Sequence, residues 1–457
     1  MGKQLFSFME LKAIIKSNYK IIGSFFIAGF LWLCFWATYN TDIFGIFSPG
    51  FPHSFFDLMH GIRSIFPFFA LAGALIILIK NKKFDDGLLR GPLGLLSIYS
   101  IVGIIASVFS KNPVESFYWG ILYLSVIILL FSILTAPDAS KKLSLIININ
   151  WIIAGLVTII LLAFFLFQPG IIKSINFNFL LCQNRPYEGL GSVPIEVSTF
   201  GMAGSRPTGW GRYAGLAAIA CLAGFCFSRK KITWLVLFIF FLAVLIFTRG
   251  RTEVIAFIIA APLVFILSRK YKYFLFFGIG LLTFLAAFFV LYQASCTVPQ
   301  TQTQAAKPNP ITFLINQSDV FTLSGRTNGV WLDAWHLFLK NPFMGYGFQA
   351  DRFFLAGQHA HNSIIHALIQ AGFLGTVPFV FAFILTFLIL IKLFKNPDIT
   401  KDKKNFLIIL LAVLVFFTVR SITESIAFFS ADWLFVAPII AYVQCQDNQI
   451  KTENKIN

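Results

Sequence analysis

Charge is scarce in this chain. Asp, Glu, Lys and Arg make up 12% of its 457 residues, about half the ~25% of a soluble globular domain. Acidic groups are the scarcest, with 19 Asp and Glu against 36 Lys and Arg. So few charges cannot cover a water-facing surface, which excludes the soluble globular class. Disorder needs low hydrophobicity, and the apolar fraction of 58% excludes it as well. The six cysteines are too few for a disulfide scaffold, and no Cys/His spacing resembles a metal site. No GxxxxGK[S/T] loop is present, so no ATP step is expected. The opening MGKQLFSFMELKAIIKSNYK lacks an apolar core followed by small residues, and it does not complete a myristoylation pattern. Neither a cleaved signal peptide nor that lipid anchor is expected. What abounds is Phe, 57 residues of it, and long apolar runs.

A bilayer-spanning helix needs about 20 mostly apolar residues. Twelve such runs are legible: 21–38, 64–80, 91–110, 117–136, 144–167, 210–227, 232–248, 252–268, 273–293, 363–391, 405–422 and 426–445. The expected fold is an all-α polytopic membrane protein of about twelve transmembrane helices. The tenth run is long, so it either begins at or above the membrane surface or kinks near Gly372 and Gly375. The chain divides into residues 1–293 with nine spans, a large outer loop over 294–362, and residues 363–457 with three spans and a tail. An even count puts both termini on one side. The loops on that side hold 23 of the 36 basic residues although they are the shorter ones. The positive-inside rule makes that side, with both termini, cytoplasmic.

The two sides also differ in kind. The cytoplasmic set is 20 Lys and 3 Arg, and the outer set is 9 Arg and 4 Lys. Topology requires only positive charge, so Lys suffices inside. Guanidinium binds phosphate and carboxylate in bidentate fashion and keeps its charge when partly buried. The outer Arg bias therefore points to an anion site, against the plainer reading of Arg snorkelling at helix ends. All six His, at 53, 60, 336, 359, 361 and 366, also fall on the outer side. Imidazole is the usual general base near neutral pH.

Two outer loops are long. The first, 168–209, carries Arg185, Glu188, Glu196 and Arg206 between Gly and Pro residues. The second begins as a polar, Pro-containing linker and then reads SGRTNGVWLDAWHLFLKNPFMGYGF. Trp331, Ala334, Trp335 and Phe338 share a helical face there. Ser324 or Thr327 can cap that helix, Pro342 ends it, and it is expected to lie at the membrane interface. Its N-terminus with Arg326 would suit a phosphate, or Arg326 is simply solvated. Cys182 and Cys296 lie in outer loops, where a disulfide is permitted. Cys34, Cys221 and Cys226 lie in spans as small apolar residues.

His359, His361 and His366 cluster where the chain re-enters the membrane in GQHAHNSIIHALIQAGFLG. No acidic residue stands close by in sequence, so no metal is expected. FTRGRTEVIAF places Arg249 and Arg251 at the outer turn between spans seven and eight, with Glu253 entering the next span. FTVRSITESIAF sets Arg420 and Glu424 four residues apart, the spacing of an intrahelical ion pair. Charges at the membrane edge are functional candidates by default.

Together, SRPTGWGRYAGLAA (205–218), TRGRTE (248–253), SGRTNGVW (324–331), NPFMGYGF (341–348) and AHNSIIHALIQAGFLG (360–375) resemble the O-antigen ligase and polymerase superfamily of bacterial membranes. The resemblance covers roughly the second half of the chain. It implies a GT-C-type, all-helical glycosyltransferase in the cytoplasmic (inner) membrane with a periplasmic active site. Such an enzyme moves a glycan from a polyprenyl (undecaprenyl) diphosphate carrier to a hydroxyl on lipid A-core, another glycan or a protein. It does so with inversion, without metal or cofactor, and nucleic acid plays no part. Residue by residue, the resemblance implies His361 as catalytic base and Arg206, Arg249 or Arg251, and Arg326 as diphosphate ligands. His359, Arg420 and Glu424 are supporting candidates. Elementary chemistry agrees: a leaving diphosphate gains charge that preorganised guanidiniums stabilise, and a sugar hydroxyl needs a base.

Within the same superfamily a polysaccharide polymerase is the alternative to a ligase. A multispan lipid-linked glycan transporter is the alternative from another class. It should show charges near span centres and repeated spans; here the charges gather at the outer edge and no repeat is evident. A purely structural membrane protein explains neither the outer Arg bias nor the His cluster.

Overall fold

A computed structural model of the chain describes residues 55–81, 89–167, 207–248, 250–280, 283, 329–427 and 431–456. The run at 21–38, residues 168–206 and 294–328 of the two long loops, Cys34, Cys182, Cys296, Arg206, Arg249, Arg326 and the caps Ser324 and Thr327 lie outside the described residues. So does the side chain of Arg251. Among the described residues the regular structure is entirely helical.

The helices are α1 (Phe55–Asn81), α2 (Pro92–Ala106, continued by a 3-10 turn Ser107–Phe109), α3 (Pro113–Leu134), α4 (Ala139–Phe167), α5 (Pro207–Phe227), α6 (Lys231–Phe247) and α7 (Arg251–Leu267). A helix α8 follows over 271–280. After it come α9 (Trp331–Lys340), α10 (Ala350–Phe354), α11 (Ser363–Lys395), α12 (Lys401–Arg420) and α13 (Ala431–Ile456). Among the described residues, every apolar run from 64 onward falls on one of these helices; of the run at 273–293 the first turns are described. Five are long and apolar enough to cross a membrane: α2 with its 3-10 turn, α3, α4, α5 and α11. In lipid each backbone amide must be paired within its own segment, and a helix does this.

The outer faces of these helices remain apolar. Ile76, Ile79, Ile232, Val236, Phe276 and Leu388 are all more than half exposed. Such a surface is a liability in water and is what lipid tails require. The interior is aromatic and tightly packed, with Trp433 stacked on Tyr123 at 4.6 Å. α2 packs against α11, α5 against α6, and α7 against α12.

Side-chain bonds sort the helix ends into two opposite sides. On one, Gln444 accepts from the Leu93 amide at 3.1 Å and Lys392 meets Asp447 at 2.8 Å. On the other, the turns around 248–252, 341–362 and 421–427 come together, as detailed below.

α11 is broken where its length required. Gly372 has φ +56° and ψ −162°, which splits the helix within the membrane-entering segment. The freed backbone groups are taken up by the NPFMGYGF segment. Tyr346 and Gly347 amides donate to the Ile369 and Gln370 carbonyls at 2.8 Å each. Phe373 and Leu374 amides donate to the Pro342 and Phe343 carbonyls at 2.8 and 3.1 Å. Two backbones can approach this closely only without side chains. A Cβ on Gly345 (φ +71°) would come within 2.7 Å of the Gln370 carbonyl carbon and the Gly372 nitrogen. A broken helix at membrane depth is tolerated where protein satisfies its freed groups.

The Trp-rich helix buries a face other than the one its spacing predicts. α9 runs over Trp331–Lys340, and the residues expected to cap it lie outside the described ones. Its buried face is Ala334, Leu337 and Phe338, whereas Trp335, assigned to that face by spacing, is 44% exposed. Leu337 replaces it because the neighbour that α9 packs against, α11, lies on the Ala334–Phe338 edge.

Candidate functional site

The site is assembled at the start of α11. Asn362 caps this helix by accepting from the Ile364 and Ile365 amides at 3.0 Å each. Its own amide donates to the Ile422 carbonyl at 3.0 Å. The Ser363 amide donates to the Ser421 carbonyl at 2.9 Å, and the Ser363 hydroxyl accepts from the Ile426 amide at 2.9 Å. The AHNS segment is thus stitched to the turn that joins α12 and α13.

This stitching brings His361 to Glu424, with Nδ1 and Oε2 3.0 Å apart. Burial opposes ionisation of Glu424, but the His361 hydrogen bond and the Arg420 charge outweigh it and draw the carboxyl down to about 2. Against an ionised carboxylate, a neutral imidazole carries its proton on Nδ1 and its lone pair on Nε2. His361 is 32% exposed, the accessible member of the cluster, while Glu424 is at 14%.

The sequence places no acid beside these histidines, and the structure corrects that. Asp351, on α10, is fully buried beneath them. Its Oδ2 accepts from His359 Nδ1 at 2.5 Å and from the Ala360 amide at 3.1 Å. Its Oδ1 lies 3.1 Å from His366 Nε2. Burial alone would raise the Asp351 carboxyl, yet the adjoining His366 and His359 imidazoles hold it well below the usual carboxylate range. Burial lowers His359 to about 4, so it is a neutral donor to Asp351. The rings of His359 and His361 are 4.6 Å apart, and those of His359 and His366 are 4.8 Å apart. The polar chain continues inward: His366 Nδ1 sits 2.8 Å from Ser425 Oγ, His366 Nε2 sits 2.8 Å from Gln370 Nε2, and Tyr99 donates to Gln370 Oε1 at 2.5 Å. Asp351, His359 and His366 bring one ligand atom each within 4.8 Å of one another, a set able to hold a metal ion.

Arg420 does not pair with Glu424 as the spacing predicts. α12 ends at Arg420 and the chain turns, so Glu424 leaves the helix and reaches His361. Arg420 Nε instead donates to Glu253 at 2.8 Å, and its Nη1 meets Asp432 Oδ2. Asp432 also takes Arg212 Nη1 at 2.7 Å. All four side chains are at most 5% exposed. Buried charges must be paired, and two cations with two anions balance. All four lie near helix ends on the same side, at the start of α5, α7 and α13 and the end of α12.

The same side holds the TRGRTE turn. Thr423 donates to Thr252 at 2.8 Å, which joins the start of α7 to the turn carrying Glu424. Arg251, whose backbone opens α7, is therefore next in sequence to a residue bonded into the His361 turn. The structure thus brings together His359, His361, Arg420, Glu424 and the backbone of Arg251.

Sequence reasoning missed Asp351, Asp432, Arg212, Ser425 and Gln370 as site residues. Each is a single polar residue in an apolar or turn context, without spacing that marks it. A faint signal exists for Asp351 and Asp432, since both stand in the first turn of a helix.

Residues 234–380 match the family model described as O-antigen ligase. Over that stretch the chain is similar to the O-antigen ligase-like superfamily, the one its motifs resemble. The match takes in Arg249, Arg251, Arg326, Asp351, His359, His361 and His366. No curated protein matches the chain.

Proposed function

We propose that this multi-pass membrane protein is a glycosyltransferase that moves a glycan from a polyprenyl diphosphate carrier to an acceptor hydroxyl, in the manner of an O-antigen ligase. The observation that carries the proposal is the His361–Glu424 pair. An ionised carboxylate fixes the imidazole tautomer and leaves a lone pair on the accessible nitrogen. That nitrogen takes the proton of the incoming hydroxyl as the hydroxyl oxygen bonds to the anomeric carbon. The carbon–oxygen bond to the diphosphate breaks at the same centre with inversion. Glu424 stabilises the imidazolium that forms. Arg206, Arg249, Arg251 and Arg326 are the proposed ligands of the departing diphosphate, whose charge grows in the transition state. Energy comes from the diphosphate bond, so the reaction calls for neither ATP nor a metal step.

The reading includes a twelve-span, GT-C-type arrangement in the bacterial cytoplasmic membrane, termini inside and the site facing the periplasm. The two-sided sorting of helix ends supports it, as does the lysine-rich composition of the opposite side. A polymerase shares this chemistry and differs in acceptor alone. The ionic cluster lies at helix ends rather than mid-span, which weighs against a transporter.

The test is transfer from a purified polyprenyl-diphosphate-linked glycan by the detergent-solubilised protein, offered lipid A-core, glycan and peptide acceptors separately. Wild type should transfer, and His361→Ala should abolish transfer while inserting and purifying normally. Retained transfer by that variant removes His361 as the base. Preference for a growing glycan over lipid A-core would assign a polymerase.

A further inference from the structure

His361 sits on a backbone that side chains rarely adopt. Its φ is +51°, and Ala356 at +51° and Gly357 at +78° share the loop leading to it. A left-handed conformation at a residue with a Cβ persists only where the surroundings over-determine it, and such residues gather at functional sites. The surroundings here are specific. On the far side, Asn362 and Ser363 are bound to the 421–426 turn. On the near side, Ala360 is gripped at both of its polar groups. Its amide donates to Asp351 Oδ2 at 3.1 Å, and its carbonyl accepts from Trp331 Nε1 at 2.5 Å. Asp351 belongs to α10 and Trp331 to α9, so two separate elements hold one residue. Ala360 and Asp351 are both fully buried.

We propose that Asp351, acting with Trp331, is a positioning residue that fixes the Ala360 peptides and thereby presents the His361 imidazole to the acceptor. This role rests on His361 being the base. Asp351 touches no reacting atom in it. The carboxylate suits the task because one oxygen can accept two donors, the Ala360 amide and His359 Nδ1, while the other faces His366. Without it the Ala360 amide and His359 lose their acceptor together. The left-handed turn then relaxes toward ordinary backbone and carries the imidazole away from its place. Displacement of a catalytic group by about 1 Å lowers a rate about a hundredfold.

The experiment compares Asp351→Ala, Asp351→Asn, Trp331→Phe and His361→Ala in the transfer assay with purified lipid-linked glycan. Rates are normalised to donor bound per protein, so that a misfolded fraction does not lower kcat. Asp351→Ala should lose about a hundredfold in kcat with KM for the donor unchanged. Asp351→Asn keeps an oxygen for the Ala360 amide and should recover most of that loss. Trp331→Phe keeps the ring shape, loses only the donor to Ala360, and should lower kcat about tenfold with the same KM. Should Asp351→Ala fail to fold, Trp331→Phe carries the decision. Wild-type kcat in a folded Asp351→Ala or in Trp331→Phe, or a raised KM at unchanged kcat, overturns the positioning role. Elemental analysis of the wild type adds a second arm. One equivalent of a transition metal that disappears in Asp351→Asn would overturn it in favour of a metal site on Asp351, His359 and His366. Should His361→Ala retain transfer, the base assignment itself falls. If that variant is dead while the Asp351 and Trp331 variants are wild-type, only the positioning role falls.

Discussion

Glu424→Gln keeps the size and reach of the side chain and removes its charge. In the wild type, Oε2 stands 3.0 Å from His361 Nδ1, and the carboxyl, drawn down to about 2, is an anion at every physiological pH. A hydrogen bond to a charged group contributes about 1.5–3 kcal/mol. His361 is about one third exposed, so solvent screens part of that interaction and the lower half of the range applies. Each ~1.4 kcal/mol lost from transition-state stabilisation is tenfold in rate. The variant should therefore lower kcat about tenfold and at most about fortyfold. Its KM for the lipid-linked donor should hold, because Glu424 stabilises an imidazolium that exists only as the proton moves. The assay is steady-state transfer by purified protein at saturating acceptor, with Glu424→Asp as a charged but shorter comparison. A kcat within about twofold of wild type would refute the pairing as the source of base strength and tautomer control.

Gly345→Ala should destabilise the fold by about 1–3 kcal/mol or more through its left-handed φ, because its Cβ also collides with the α11 break; Gly278→Ala, with nothing within 4 Å, should not, and thermal unfolding in detergent separates the two. Stability should fall with pH in two steps. His359 stays neutral down to about 4 when folded, against 6.5 ordinarily. Glu424 stays ionised down to about 2, against 4.5. Both folded values lie below the unfolded ones, so the unfolded chain binds more protons and stability rises with pH. The first loss should run from pH 6.5 to 4 and the second from 4.5 to 2; a protein more stable at pH 5 than at pH 7 contradicts this. Arg249→Lys with Arg251→Lys should impair transfer although charge is kept, since a bidentate fork is lost; normal turnover would reduce the arginines to a charge effect.

Much of the fold was legible because its units are local. Where they are described, the apolar runs from 64 onward are helical, and the long run at 363–391 broke at Gly372, one of two glycines marked by its length. The His cluster at 359–366 was legible as a cluster, and the turns around 249–251 and 420–424 were marked by charge. Pairing was not legible. Arg420 and Glu424 have ideal intrahelical spacing, yet the helix stops at Arg420 and each goes to a different partner. Asp351 precedes His359 by only eight residues, but the rest of a five-residue helix and two successive left-handed residues, Ala356 and Gly357, lie between them. Nothing in the composition of ADRFFLAGQ announces that the chain doubles back there.

Run length and apolarity settled that the chain makes helices for a bilayer, since lipid offers backbone amides no partner outside their own segment. The sign and type of its charges divided the helix ends into two sets. Which ends touch was decided by packing alone. Side chains from α5, α7, α12 and α13 had to neutralise one another in a dry interior, and the loop before α11 had to bury Asp351 before His361 could face outward.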